Sequence, residues 1–293
     1  MKVVQIIPKF GMGGAEIMCE NLVYALREQG VDVSVISLYD FQSPITKRLE
    51  KKNIKVIYLD KKSGLDFSMI KKLKKVFKDE KPDVVHSHLN TQKYVIIAAK
   101  KANIPMRVHT VHSIADKELS KADKILARIF YKNKKVVPVA LSDVVKQTIV
   151  DTYDISPDFV PTIFNGIDLS NCLPKEEYSI KDTIKILHIG RFVEVKNHIG
   201  LIKAFALFHK NYPNSQLQLI GDGEKKKEIE ELIKENDVDL IVTDIVLPNI
   251  DGYEFLKRVE NVNAKDKAWD LGADDKDAVS VPAEQNSVSM YIT

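Results

Sequence analysis

Short apolar runs alternate with amphipathic stretches along most of the chain, the pattern of parallel strands joined by covering helices. Strands are predicted at VVQIIP, VDVSVISL, IKVIYL, DVVHSH, RVHTVHS and VVPVALS. The first helix, AEIMCENLVYALREQG, places Met18, Leu22, Ala25 and Leu26 on one face and stops at Gly30, a C-cap glycine. Pro82 and Pro105 each stand just ahead of a strand and end the helix before it. Six βα steps therefore complete one open sheet by about residue 155.

FVPTIFNGIDL then leads into NCLPKEEYSIKDT, a polar segment without periodicity that reads as a crossing between domains. A second series follows: IKILHIG as strand, NHIGLIKAFALFHKNY as helix, LQLIG as strand, EKKKEIEELIKEN as helix and DLIVTDIV as strand. The predicted fold class is α/β with two Rossmann-like domains. The first covers residues 1–170, the crossing 171–184, and a smaller C-terminal domain 185–293. Within the latter, residues 185–236 and 237–275 differ in character, and 276–293 form a weakly patterned tail.

A chain of 293 residues is long enough for two cores. Apolar content of 44% with 29% charged residues is that of a globular protein, and the apolar runs are too short to span a bilayer. KVVQIIPKF lacks the apolar core of a signal peptide, so a cytoplasmic location is expected. Cys19 and Cys172 match no metal-ligand spacing and read as reduced thiols. Neither metal nor cofactor is expected, nor a nucleic-acid partner. The net charge of +3 hides an asymmetry, because residues 237–293 hold 5 Lys and Arg against 12 Asp and Glu, leaving 39 against 29 before them. The basic excess gathers in residues 51–55, 71–81 and 131–135. Such a surface suits peripheral contact with an anionic inner membrane face, or phosphorylated substrates. The plainer alternative is solvated lysine on exposed helix faces.

The candidate chemistry of the first part begins at FGMGGAE, which follows the first strand and opens the first helix. Glycines there let a ligand approach the backbone, and the helix N-terminus offers N–H groups to an anion. His88 and His112 end successive strands, where open α/β sheets bind ligands. His86 and His109 alternate with them and read as packing or hydrogen-bonding residues. Arg191 and Lys196 lie five residues apart on a strand-to-helix loop, and such a pair stabilises the charge of a leaving diphosphate.

GMGGAE, DVVHSH, HTVHS, ALSD, FNGID and HIGRFVEVKNH occur in the order seen in family 4 glycosyltransferases, and the chain resembles that family, of the GT-B fold, over about residues 1–236. The resemblance implies transfer of a sugar, with retention, from a nucleotide-sugar substrate to a cell-envelope glycan or lipid-linked acceptor. It implies that Gly13 and Gly14 lie beside the donor phosphates, with Glu16 in the helix behind them. His112 corresponds to the family's active-site histidine, Arg191 and Lys196 to its phosphate-binding cations, and Asn165 to the turn at the domain crossing; His88 belongs to the acceptor side or cleft. The family's acidic E-x7-E donor segment is missing after residue 236, which implies impaired activity.

DLIVTDIVLPNIDGYEFLKRV and the later LGADD resemble response-regulator receiver domains over about residues 237–275, giving the second domain a hybrid, chimera-like character with flavodoxin-like elements. The receiver's phosphoacceptor would be Asp244. The strand that would supply its Mg²⁺-binding acidic pair ends instead in Gly190 and Arg191. Three readings follow: a glycosyltransferase, a catalytically inactive α/β scaffold, and a phosphoacceptor signalling module.

Overall fold

The computed structural model describes residues 1–166, 183–235 and 240–243, and the chain divides into two compact units, Met1–Pro174 and Lys175–Thr293. Cys172, Asp244 and the receiver-like stretch after residue 243 lie outside the described residues, as does most of the predicted crossing.

In the first unit strands and helices alternate: β1 (Lys2–Ile7), α1 (Gly14–Glu28), β2 (Asp32–Ser37), α2 (Pro44–Lys51), β3 (Lys55–Tyr58), α3 (Ser68–Glu80), β4 (Val84–His88), α4 (Gln92–Lys101), β5 (Met106–Val111), α5 (Ala115–Glu118), α6 (Lys121–Lys132), β6 (Val137–Ala140) and α7 (Asp143–Tyr153). All six strands expected in this part are present. They form one sheet in the order β3-β2-β1-β4-β5-β6, and every neighbouring pair is parallel. The order reverses between β1 and β4, so the crevice at their carboxyl ends is the topological switch point of the sheet.

Both faces of the sheet are covered, which is why its strands read as near-continuous apolar runs. Val4, Ile6, Ile36 and Val85 pack against Leu73 and Phe77 of α3 and Tyr94 and Val95 of α4. On the other face Ile7, Val33 and Val35 meet Cys19 and Val23 of α1 and Ile45 and Leu49 of α2.

The buried stripe of α1 is rotated from the one predicted. Cys19 and Val23 enter the core, whereas Met18 and Leu22 are half-buried and Ala25 is exposed. Glu20 accounts for the rotation. Its carboxylate accepts hydrogen bonds of 2.8 Å from Nε and Nη2 of Arg48 on α2, and 2.8 Å from the Tyr24 hydroxyl, and so lies buried between the two helices. An apolar-periodicity reading places no glutamate inside, whereas a bidentate guanidinium partner allows it. The helix ends as expected, with Gly30 at φ +74 just beyond it.

The second unit contains β7 (Ile184–Ile189), α8 (His198–Asn211), β8 (Ser215–Ile220), α9 (Lys226–Glu235) and β9 (Leu240–Thr243). Among the described residues its sheet has the parallel order β7-β8-β9. Ile202 and Phe205 of α8 and Ile229 and Ile233 of α9 pack with Leu217 and Leu219 of β8 and with Phe192.

The loops after β7 and β8 are knitted backbone to backbone. Gly190 N–H donates to the Ile220 carbonyl (2.8 Å), Phe192 N–H to Asp222 (2.8 Å) and Lys225 N–H to Phe192 (2.9 Å). A Cβ on Gly221 would overlap the Gly190 carbonyl oxygen and stand 2.8 Å from the Phe192 ring. Gly221→Ala should therefore destabilise the protein by about 3 kcal/mol, since overpacking a fixed backbone contact has no soft escape. Gly14→Ala, where nothing stands within 4 Å of the new methyl, should stay within about 0.5 kcal/mol of the parent. Urea denaturation of the two variants checks this, and equal midpoints would contradict the packing argument.

Candidate functional site

The carboxyl ends of β1, β2 and β4 open onto a cavity of about 520 Å³ lined by Pro8, Lys9, Glu16, Tyr39, Leu89, Asn90 and Glu118. It lies at the switch point, and its size falls in the range of small-molecule pockets, about 300–1,000 Å³. Its lining mixes both charges, a phenol and an amide with two apolar surfaces.

A chain of polar side chains runs through the sheet beside it. Parallel register sets Gln5 of β1 opposite His86 of β4, and His88 opposite Thr110 of β5. His88 is fully buried and donates from Nε2 to Gln5 Oε1 at 2.8 Å, so its Nδ1 is the acceptor for His112 Nε2–H at 3.1 Å. His112 is thereby held in one tautomer with its Nδ1 left as the acceptor. His86 Nε2 meets Thr110 Oγ1 at 2.7 Å, and on the opposite face His109 Nδ1 meets Ser87 Oγ at 2.9 Å.

Burial keeps these imidazoles neutral. It lowers His112 to about 4, and it lowers His86 and His109 to about 3 with help from the other rings. His88 is pushed well down by burial and by His86, His112 and His109. Glu118 moves the other way, raised to about 7 by burial while the backbone N–H groups of His112 and Ser113 oppose the shift. Among the described residues no group of three or more His, Cys, Asp or Glu side chains is placed to hold a metal ion.

The predicted residues of this unit separate in the structure. Gly13 is the N-cap of α1 in extended backbone, and Gly14 begins the helix. Glu16 folds back over the glycine loop, its Oε2 2.6 Å from where a Cβ on Gly13 would stand, and it lines the cavity. His88, predicted on the acceptor side, has no exposed surface and reaches the edge of the sheet only through His112. A neutral imidazole with hydrogen bonds at both nitrogens can be buried with little penalty, which accounts for the difference. His86 and His109 take the hydrogen-bonding roles expected of them. Asn165 is exposed, three residues past the bridge between Ala140 and Thr162. Lys9, Tyr39, Asn90 and Glu118 were not legible as site residues, since each sits among ordinary polar neighbours in sequence.

In the second unit Arg191 and Lys196 are both exposed on the loop after β7. The Lys196 stem crosses Gly190, its Cδ 3.9 Å from where a Cβ there would stand. Lys225, from the adjoining loop, bridges Glu194 at 3.0 Å and Glu228 at 2.7 Å. His198 is buried against His188 and Phe192 with ring centroids 4.9 and 4.8 Å away, and both its ring nitrogens are without hydrogen-bond partners. Burial, then the charges of His188 and Lys196, lower its pKa. GDGEK carried an overlooked signal: a Gly-x-Gly turn directly after a strand and before a helix, as at GMGGAE.

Residues 12–171 match the sequence family Glycosyltransferase Family 4, more than half of the chain. The chain belongs to glycosyltransferase family 4. Residues 173–242 match Glycosyl transferases group 1, a match that passes the change of character at residue 236 and ends within β9. An uncharacterized glycosyltransferase of Methanocaldococcus jannaschii, MJ1059, is 27% identical over 184 residues, 55% of this chain and 45% of its own. The putative glycosyltransferase EpsF of Bacillus subtilis is 25% identical over 248 residues, 78% of this chain and 64% of its own. This family member thus spans about half to two thirds of the length of those two relatives. An α-1,4-N-acetyl-D-galactosaminyltransferase of Campylobacter jejuni is 28% identical over 273 residues, 90% of this chain and 70% of its own. Among solved structures, Anabaena Alr3699/HepE with UDP and glucose superposes with a TM-score of 0.65 at 18% identity, covering 83% of this chain and 69% of that one. Together these establish an α/β fold of the GT-B kind.

The buried histidines make stability pH-dependent. Each has a folded pKa below its unfolded value, so its contribution is complete above about pH 6.5 and is lost as pH falls toward 4. Each contributes up to about 1.4 kcal/mol per pH unit in that window. Glu118 opposes one of them, because a raised carboxyl pKa costs stability as pH rises from 4.5 to about 7. The net result expected is a loss of at least roughly 2 kcal/mol between pH 6.5 and 5. Unfolding midpoints that are flat or rise on acidification would show that the imidazoles are not held neutral.

Proposed function

We propose that the chain transfers a sugar, with retention, from a nucleoside diphosphate sugar to a glycan or lipid-linked acceptor. In this reading the loop after β7 holds the diphosphate, and the cavity of the first unit, beside His112, holds the acceptor. The observation that carries it is the Arg191 and Lys196 pair, two exposed cations on a loop whose backbone is fixed by Gly190, Gly221 and Gly223. Cations on a rigid loop stabilise a leaving diphosphate without reorganising.

The names of relatives support the acceptor class. The Campylobacter enzyme acts on an undecaprenol-diphosphate glycan, an Escherichia coli relative on a GlcNAc-diphosphoundecaprenol, and an Acholeplasma laidlawii relative makes a glucosyldiacylglycerol. Peripheral contact with an anionic membrane fits the basic helix α6, which exposes Ile125 and Ile129 between Lys121, Lys124, Arg128 and Lys132. No helix among the described residues is long and apolar enough to cross a membrane. Turnover is reduced in this reading, because no pair of glutamates with E-x7-E spacing follows residue 236 to orient the donor sugar.

The receiver-like stretch rests on its sequence resemblance alone. Residue 244 follows β9, which pairs with β8 as a further parallel strand, and the stretch acts in our reading as scaffold. Incubation with acetyl phosphate and Mg²⁺ should leave the protein unlabelled. Labelling that disappears in Asp244→Asn would favour the signalling reading instead.

The donor site is tested by calorimetric titration with UDP and with GDP. The parent should bind at least one of them, and the Arg191→Ala, Lys196→Ala double variant should bind it at least tenfold more weakly, the scale of about 1.4 kcal/mol for lost charge-assisted contacts. A folded parent that binds neither nucleotide would sink the transferase reading and leave the inactive scaffold.

A further inference from the structure

Val3 to Ile7 of β1 are all buried, and Gln5 is the one polar side chain among them. Its Nε2 has no hydrogen-bond partner, so the amide is not placed there to satisfy its own donors. The hydrogen bond it does make joins its Oε1 to His88 Nε2 at 2.8 Å. The other nitrogen of that ring, Nδ1, faces His112 Nε2 at 3.1 Å. His86 lies against His88 with ring centroids 4.2 Å apart, but its own Nε2 is engaged by Thr110 Oγ1 and does not compete. His112 itself is half-buried just past β5, and among the described residues nothing bonds to its Nδ1. Three side chains, from β1, β4 and the end of β5, thus form one line that leads from the sheet interior to its edge.

We propose that Gln5 is a positioning residue: acting through His88, its amide oxygen fixes His112 in the Nε2–H form and so decides that His112 receives hydroxyl groups. An amide oxygen only accepts, and a neutral imidazole carries one proton. The His88 proton therefore lies on Nε2, which leaves its Nδ1 able only to accept, and His112 must supply the proton between the two rings. What remains at the edge of the sheet is a bare His112 Nδ1. Such a nitrogen takes an O–H or N–H donor and turns away a carbonyl or phosphoryl oxygen. Without the amide oxygen nothing sets the direction, because the contact between the rings is equally good with donor and acceptor exchanged. Both rings are neutral at pH 7, since burial lowers His112 to about 4 and pushes His88 well down. The inference rests on the reading that the cavity beside His112 holds the acceptor, and it assigns His112 to a hydroxyl of that molecule.

Its test needs no turnover. The probe is long-range proton–nitrogen NMR of the histidine rings in the full chain at pH 7, with His88 and His112 assigned from His88→Asn and His112→Asn. In a neutral ring the protonated and bare nitrogens resonate far apart, and their couplings to the ring protons tell which is which. The parent should show both rings with the proton on Nε2. In Gln5→Met, which keeps the length of the side chain and removes its oxygen, the two His112 nitrogen signals should move toward each other as the two forms mix. A packing role alone would leave the His112 pattern of Gln5→Met like that of the parent, and that result would overturn the proposal. So would a parent in which His112 carries its proton on Nδ1. If Gln5→Met fails to fold, Gln5→Asn, whose amide is one methylene too short to reach His88, is judged by the same criterion. UDP titration of the same samples separates the two levels. A parent that binds no UDP defeats the transferase reading, whereas an unchanged His112 pattern in a variant that still binds UDP defeats only the role of Gln5.

Discussion

The parallel pairing of β1 with β4 is the constraint on which the first unit's site depends. It sets Gln5 opposite His86 and brings its side chain within 2.8 Å of His88, which in turn meets His112. An unpaired polar group buried in a sheet costs a few kcal/mol. His88 avoids that cost by staying neutral with a partner at each ring nitrogen, whereas Gln5 Nε2 and His109 Nε2 are buried without one. The order of protons, from His112 through His88 to Gln5, follows from the amide oxygen at its inner end. His112 thus reaches the edge of the sheet as a fixed hydrogen-bonding group without positive charge.

The second unit solves a different problem. Arg191 and Lys196 are both exposed on one loop, so that loop is subject to their mutual repulsion and to the pull of solvent. Glycines at 221 and 223 let two loops share backbone hydrogen bonds at a separation that a Cβ at either position would not permit. Lys225, tied to Glu194 and Glu228, anchors the second loop electrostatically, while Arg191 and Lys196 remain at the surface. Rigidity comes from the backbone, and charge from side chains that the backbone does not need.

The two units carry different chemistry. The first sets neutral imidazoles in its sheet next to a cavity of mixed polarity. The second exposes two cations, Arg191 and Lys196, on a loop held by backbone hydrogen bonds.

Much of the fold was legible in sequence because it is a repeated local problem. Apolar runs four to six residues long, each followed by an amphipathic stretch, admit little besides parallel strands and covering helices, and each strand so predicted was found. The motif order singled out His112, Arg191 and Lys196 as candidates, and the structure places His112 just past a strand end and the two cations on a βα loop, where such sheets bind ligands. Tertiary structure decided the rest. The stripe of α1 turned because Glu20 found Arg48 on another helix, and His88 is buried and hydrogen-bonded at both ring nitrogens because β1 and β5 flank it. Glu118, one charged residue in ADKELSKAD, acquired its raised pKa from burial that no local pattern encodes. Periodicity and capping act over a few residues and are written in the chain, whereas desolvation, partner charges and backbone contacts depend on what the fold brings together from far apart.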